Sequence, residues 1–174
     1  MAQLNNTDVD TRDRELVLTR IFDAPRELVY KVWTDPQHVS KWWGPRVFTN
    51  PVCEIDLRPG GTYLYVMRSP EGMDFPVQGK FIEIVDNERI VYSHDMFEQQ
   101  DFWKMMLGKS VTSVDFSTLQ LMITVTFEDH GNKTKLALIT RFVSNDLRDA
   151  MLKMQMAEGW TESLEKFADE LTKA

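Results

Sequence analysis

Residues 22–45, FDAPRELVYKVWTDPQHVSKWWGP, predict two short helices that follow one another directly. Pro25 and Pro36 each suit the first turn of a helix, because the backbone N–H that proline lacks would have no partner there. Gly44 and Pro45 then end the second helix, since glycine favours the left-handed C-terminal conformation and proline cannot continue a helix. A strand that runs into two short helices is the first indication of the fold.

Two adjacent tryptophans, Trp42 and Trp43, stand at the end of the second helix. Neighbouring residues on a helix point in different directions, so the two indoles do not share one environment. We expect one of them to anchor the helix in the core and the other to line the entrance of a cavity. The sequence leaves open which tryptophan takes which place.

Strand patterns lie on both sides of this helical pair. One strand precedes it, ELVLTRIF at 15–22, which is rich in branched and aromatic residues. About six strands follow, and the clearest pair is LQLMITVTFED at 119–129 and KTKLALITRFV at 133–143. Short turns join antiparallel neighbours, so we expect an antiparallel sheet with one apolar face to bury.

A long helix, predicted from residue 145 to about 172, would cover that face. Its apolar residues recur at steps of three and four, with one step of six. They are Leu147, Met151, Met154, Trp160, Leu164, Phe167 and Leu171. The predicted fold is therefore α+β, a curved antiparallel sheet wrapped around a long C-terminal helix, with two short helices after the first strand.

The composition favours one globular domain. The chain has 174 residues, of which 43% are hydrophobic, and this suits a single core. We expect that domain over residues 14–174 and a flexible arm over residues 1–13, where hydrophobic residues are scarce. The net charge of −7 and the scattered basic residues argue against a nucleic-acid partner.

Three features predict the location of the protein. The sequence has no run of about 18 apolar residues, so we expect no membrane partner. Its first residues lack the basic start and apolar stretch of a secretory signal. The single cysteine, Cys53, excludes an internal disulfide. We therefore expect a cytoplasmic protein.

Five segments in this order resemble one family. They are FDAPRELVYKVWTDPQHVSKWWGP, DLRPGGTYLYVM, GKFIEIVDNERIVYS, VTFEDHGNKTKLAL and EGWTESLEKF. Together they resemble the AHSA1-like (activator of Hsp90 ATPase homologue) branch of the START/Bet v 1-like, or SRPBCC, superfamily. The resemblance implies a helix-grip fold with a cavity between sheet and helix. Superfamily members bind lipids, sterols, polyketides or other apolar molecules there, some are cyclases or hydroxylase components, and the eukaryotic namesakes stimulate the Hsp90 ATPase.

The segment 98–118, EQQDFWKMMLGKSVTSVDFST, is long for a connection between two core strands. It carries a cluster of apolar residues, Phe102, Trp103, Met105, Met106 and Leu107. Three interpretations are open: a lid over the cavity, the contact surface of a homodimer, or a small cluster that packs on the side of the domain.

The sequence offers no evident catalytic or metal-binding set. The histidines His38, His94 and His130 have no metal-ligand spacing, and no cysteine accompanies them. His94, next to Asp95 on a strand, is the one histidine to consider as a base, and a partly buried strand residue is the simpler interpretation. We expect no cofactor, no metal and no catalytic residue, and Cys53 reads as an inert thiol.

The candidate cavity residues come from strand alternation, helical spacing and the resemblance. They are Trp33, Trp42, Trp43, Tyr63, Tyr65, Met67, Phe81, Tyr92, Met122, Met151, Met154 and Trp160. Arg20 shares a strand face with Phe22 and either reaches the cavity as a polar anchor or extends to solvent at the strand end. An assignment that is off by one residue would reverse the face.

These observations favour a protein that binds or senses a small apolar molecule in the cavity, and Met154→Lys is then expected to abolish binding. An alternative is a protein-interaction module, with an Hsp90-type chaperone as the partner that the resemblance suggests. A cyclase- or hydrolase-type enzyme is the least favoured class, because no acid–base pair is apparent.

Overall fold

The computed structural model describes residues 2–4, 6–111 and 114–174 and contains one antiparallel sheet and five α-helices. The strands are β1 (Ala2–Leu4), β2 (Thr7–Arg12), β3 (Glu15–Phe22), β4 (Thr49–Ile55), β5 (Thr62–Arg68), β6 (Asp74–Val85), β7 (Arg89–Asp95), β8 (Gln120–His130) and β9 (Lys133–Arg141). The helices are α1 (Arg26–Thr34), α2 (Pro36–Trp42), α3 (Gln100–Leu107), α4 (Asn145–Lys153) and α5 (Met156–Leu171), with short 3₁₀ turns at Met96–Gln99 and Phe116–Thr118.

The strands form one sheet in the order β1-β2-β3-β9-β8-β7-β6-β5-β4. Every neighbouring pair is antiparallel. The α1–α2 pair follows β3, and α4 and α5 follow β9. This topology confirms the α+β helix-grip fold predicted from the sequence.

The sheet and the helices share one core. Alternate residues of the central strands are buried, such as Val125 and Phe127 on β8 and Leu136 on β9. The ring of Phe167 on α5 meets that of Phe22 on β3 edge to face, with centroids 5.0 Å apart. The buried face of α5 therefore packs directly on the inner face of the sheet.

Strand β6 pairs with β5 on one side and with β7 on the other, and its pairing with β7 contains a register shift. Its first part pairs with β5, and its last residues pair with β7 beyond a register shift between Phe81 and Glu83. A Cβ atom on Gly79 would lie 1.8 Å from the carbonyl oxygen of Ser93 on β7. Only glycine permits so close an approach of the two backbones.

The two short helices have the ends that the sequence predicts. The Asp35 carboxylate caps α2 by accepting a hydrogen bond from the backbone N–H of Gln37, at 2.9 Å. Gly44 follows α2 with a φ of 83°, the left-handed conformation that glycine adopts without steric cost. The turn brings the chain to Pro45 and then to the start of β4.

The prediction of a flexible arm at the N-terminus is wrong for Thr7–Arg12. These residues form β2 and pair with β3, for example Val9 with Leu18. Backbone hydrogen bonds to its two neighbours, β1 and β3, hold this strand, so a low content of hydrophobic residues does not exclude it. Met1 and Asn5, in the same predicted arm, lie outside the described residues.

The prediction of one continuous C-terminal helix is also wrong. α4 ends at Lys153 and α5 begins at Met156, and Gln155 between them has a φ of 65°. A left-handed residue other than glycine breaks the helical path at a cost of about 1–2 kcal/mol. The step of six residues from Met154 to Trp160 is the sign of this break in the sequence, because a single helix does not keep those two positions on one face.

Candidate functional site

A cavity of about 190 Å³ lies between the sheet and the two C-terminal helices. From β5, β6 and β7 its wall includes Tyr63, Met67, Val77, Tyr92 and His94. From β8 and β9 it includes Leu121, Ile123 and Thr140. The helices contribute Met151, Met156, Gly159, Trp160 and Ser163, and the turn after α2 contributes Trp43, Gly44 and Pro45. The wall is therefore built mainly from apolar and aromatic side chains.

The two adjacent tryptophans take different places. Trp42 is fully buried, and its indole N–H donates a hydrogen bond to the carbonyl oxygen of Val32, at 3.0 Å. Trp43 lies in the cavity wall, where its ring meets Trp160 edge-on at a centroid distance of 5.2 Å. Trp42 thus anchors α2 in the core, and Trp43 faces the cavity.

Lys166 of α5 holds the turn that follows α2. Its ammonium donates to the carbonyl oxygens of Trp43, Gly44 and Pro45 at 3.3, 3.2 and 3.4 Å. Burial lowers the pKa of Lys166 from its usual value. A single cation therefore fixes the three cavity residues that α2 and its turn contribute.

Polar atoms occur along the strands of the cavity wall. The Tyr63 hydroxyl donates to the carbonyl oxygen of Ser93 at 2.7 Å, and burial raises the pKa of both Tyr63 and Tyr92. Burial lowers the pKa of His94 to about 4, against a smaller opposing effect of Asp95. His94 is consequently a neutral imidazole at neutral pH.

We expect acid to destabilise the protein through His94. Its pKa is about 4 in the folded chain and near 6.5 in the unfolded chain, so only the unfolded state takes up the proton between these values. The contribution of His94 to the free energy of unfolding is therefore fully present above about pH 6.5. It falls by about 2 kcal/mol when the pH is lowered to 5. Denaturant unfolding at pH 7.5 and pH 5 measures this difference for the wild type and for His94→Gln.

The pH difference is expected to shrink by about 2 kcal/mol in His94→Gln. His130→Gln is the matched control, because His130 is the exposed last residue of β8. An equal pH difference in wild type and His94→Gln would contradict the assignment of the effect to His94.

Six of the sequence-predicted residues line the cavity: Trp43, Tyr63, Met67, Tyr92, Met151 and Trp160. Four others, Trp33, Trp42, Tyr65 and Phe81, surround a separate void of about 10 Å³ beside it. Such a space is at the lower limit for one water molecule, so these four residues act as packing around the site.

Three predicted positions are corrected by the structure. Met122 lies on the outer face of β8, because the inward residues are Leu121 and Ile123. Met154 is 38% exposed in the break between α4 and α5 and is not among the residues that line the cavity, so Met154→Lys is no longer expected to abolish ligand binding. Arg20 is not among the residues that line the cavity, and its side chain is mostly buried.

Arg20 instead forms an internal ion pair with the C-terminal helix. Its guanidinium lies 2.7 Å from the Glu165 carboxylate, and the Arg20 side chain is 11% exposed. The same group stands over the ring of Phe22, 5.2 Å from its centroid. Arg20 thus links β3 to α5 behind the cavity.

Several cavity residues escaped sequence analysis. Strand alternation identifies Leu121 and Ile123 once Met122 is placed outside. Met156 and Gly159 lie beyond the helix break, which shifts the helical phase. His94 and Thr140 were detectable only as polar residues on inward strand positions, a pattern that gives a weak signal by itself.

The described part of segment 98–118, residues 98–111 and 114–118, contributes no residue to the cavity wall. Leu107 and Phe116 are buried, whereas Met105 and Met106 are exposed. The Phe102 ring contacts Phe75 at a centroid distance of 5.9 Å. These contacts favour a cluster packed on the side of the domain over a lid, and Thr112 and Ser113 lie outside the described residues.

Within residues 2–4, 6–111 and 114–174, no group of three or more His, Cys, Asp or Glu side chains is placed to hold a metal ion. Burial, and then the nearby Asp35 charge, raise the pKa of the Cys53 thiol to about 11. Cys53 is therefore a poor nucleophile at neutral pH.

An antiparallel sheet that packs against C-terminal helices and leaves a cavity between them defines the helix-grip class of proteins. The chain matches the family model described as "Activator of Hsp90 ATPase homolog 1-like protein" over residues 23–172. The protein belongs to this AHSA1 family. Comparison with curated proteins gives no match.

Solved structures with the same fold come from several bacteria. A protein from Rhodobacter sphaeroides has a TM-score of 0.79 at 19% identity, covering 97% of this chain and 99% of its own. A protein from Nitrosomonas europaea has a TM-score of 0.76 at 22% identity, with 94% and 97% covered. A protein from Mycobacterium smegmatis has a TM-score of 0.75 at 21% identity, with 96% and 98% covered. At these identities the likeness concerns the fold alone.

In the part of the chain that the structure describes, no helix combines the length and the apolar character needed to cross a membrane.

Proposed function

We propose that the protein binds a small, mainly apolar molecule in the cavity between the sheet and helices α4 and α5. The observation that carries the proposal is the cavity of about 190 Å³ with its apolar wall. A cavity of about 150 Å³ lined by Leu, Ile and Phe is large enough to bind benzene in another protein. A molecule of one or two rings therefore suits the space.

The expected affinity is modest. A ligand that buries about 300 Å² of apolar surface gains about 7 kcal/mol before other terms. Lost rigid-body freedom offsets several kcal/mol of this gain. A dissociation constant in the millimolar range follows for an apolar probe without a polar anchor.

Methionine methyl groups provide a direct measurement of binding. Met67, Met151 and Met156 line the cavity, whereas Met105 and Met106 are exposed on α3. In protein labelled with ¹³C at the methionine methyls, naphthalene is expected to shift the three cavity resonances and leave the two α3 resonances in place. Shifts at Met105 and Met106 alone would contradict the proposed site.

A variant that fills the cavity completes this test. Gly159 faces the cavity from α5, and its nearest neighbour for an added Cβ is the Pro45 ring at 3.8 Å. Gly159→Leu is expected to abolish the naphthalene shifts, and leucine is the better helix former, so folding is retained. Glu158→Leu adds the same side chain at the neighbouring exposed position and is expected to bind as the wild type does.

The other functional expectations remain predictions. The family name suggests an Hsp90-type chaperone as partner, and none of the contacts described above identifies one. A homodimer through segment 98–118 would use the exposed Met105 and Met106 of α3. The cytoplasmic location likewise rests on the sequence.

A further inference from the structure

The cavity wall carries hydrogen-bonding side chains that a purely apolar ligand leaves unused. Tyr92 on β7 faces Ile123 on β8, and Ile123 faces Thr140 on β9, so the three residues form a row across the sheet. Neighbouring strands are about 4.8 Å apart, which places the Cα atoms of Tyr92 and Thr140 about 10 Å from each other. His94 follows Tyr92 on the same face of β7, about 7 Å along the strand.

The polar groups of these side chains form no hydrogen bonds within the described part of the chain, whereas the Tyr92 ring packs against Tyr63 and Phe81. The Thr140 hydroxyl is buried and has no hydrogen-bond partner among the described residues. The side chains of Tyr92 and His94 also make no hydrogen bond to the described part of the chain. A buried hydroxyl without a partner is costly, and a ligand group that satisfies it recovers that cost.

The same wall offers no partner for a charge. None of the described residues that line the cavity is Asp, Glu, Lys or Arg. The nearby Asp95 carboxylate already accepts hydrogen bonds from Ser93 and Gln120, each at 2.7 Å. A charged ligand group would lose its hydration in the cavity and gain no counter-ion, which is strongly unfavourable.

We propose that the cavity selects uncharged molecules with an apolar body of one or two rings and a hydroxyl group that bonds either to the Thr140 hydroxyl or to the Tyr92 hydroxyl. A ligand hydroxyl both donates and accepts, so it bonds to either side-chain hydroxyl in either direction. His94, on the same wall as Tyr92, offers a further hydrogen-bonding group. This ligand class rests on the proposed function of the cavity.

Three probes with the same ring system test the proposal at pH 7: naphthalene, 2-naphthol and 2-naphthoate. Binding is read from the methyl resonances of Met67, Met151 and Met156. 2-Naphthol is expected to bind about tenfold more tightly than naphthalene, the effect of about one additional hydrogen bond. 2-Naphthoate is expected to bind more weakly than naphthalene, because its carboxylate is charged at this pH.

Isosteric variants identify the side chains responsible. Thr140→Val and Tyr92→Phe are each expected to reduce the ratio of 2-naphthol to naphthalene affinity, and the double variant brings it to about one. Thr140→Val removes a buried hydroxyl that lacks a partner, so its melting temperature stays at or above that of the wild type. Thr124→Val, on the outer face of β8, is the control that keeps the wild-type ratio.

The outcomes distinguish a failure of the proposed ligand class from a failure of the proposed function. An unchanged ratio in the double variant, or 2-naphthoate binding as tightly as 2-naphthol, would overturn the ligand class while naphthalene binding upholds the proposed function. If none of the three probes shifts the cavity methyls, the proposed function fails, and the ligand class fails with it.

Discussion

Gly79→Ala is expected to destabilise the protein by more than about 4 kcal/mol, a loss that few single substitutions reach. The added Cβ would lie 1.8 Å from the carbonyl oxygen and 2.7 Å from the carbonyl carbon of Ser93. Both are backbone atoms, so no side-chain rotation relieves the contact. β6 and β7 would have to separate where the Ser93 carbonyl oxygen also accepts the Tyr63 hydroxyl. Chemical denaturation of purified protein measures the loss.

Gly131→Ala is the matched control for this prediction. Gly131 has a φ of 66° in the β8–β9 turn, and an added Cβ meets nothing within 4 Å. Its replacement is expected to cost only the conformational penalty of about 1–2 kcal/mol. Similar losses for the two variants would show that close backbone approach at Gly79 is not what limits the fold.

Glu165→Leu is expected to cost about 1.5–3 kcal/mol of stability, because it removes the carboxylate 2.7 Å from the partly buried Arg20 guanidinium. The Arg20 side chain is 11% exposed, so water replaces the lost carboxylate poorly. The double variant Arg20→Met/Glu165→Leu removes both charges. It is expected to recover most of the loss, since apolar residues of similar volume often replace a buried ion pair at little cost.

Asp169→Leu on the same helix provides the comparison with a surface pair. The Asp169 carboxylate lies 3.9 Å from Arg46, and both side chains are more than half exposed. Its loss is expected to change the unfolding free energy by less than about 1 kcal/mol. Equal effects of Glu165→Leu and Asp169→Leu, measured by urea unfolding, would exclude a special contribution from the Arg20 pair.

Local signals in the sequence account for most of the fold. Pro25, Pro36 and Gly44 mark the two short helices because each has a steric preference that acts within a few residues. Strand alternation likewise reports the inner face of β9, with Leu136 and Leu138 buried. Strand β2 lacks such a signal, because backbone pairing with β1 and β3 holds it and leaves little trace in residue type.

The residues that line the cavity were harder to predict from the sequence, because a shift of one residue along a strand or helix changes the face on which a side chain lies. Met122 lies one position from Leu121 and from Ile123, and neighbouring residues of a strand point to opposite faces of the sheet. Met154 fits a continuous helix, and the left-handed Gln155 moves it to the surface. The opposite places of Trp42 and Trp43 depend on the packing of α2 as a whole, which no local pattern specifies.

The break at Met154 and Gln155 divides the C-terminal helical region into two segments with different contacts. Phe167 of the second segment meets Phe22 of β3, and Met151 of the first segment lies in the cavity wall. Both segments also place fully buried residues in the core, Leu147 from the first and Leu164 from the second. A change in the angle between the segments would therefore alter the shape of the cavity and the packing of the core together.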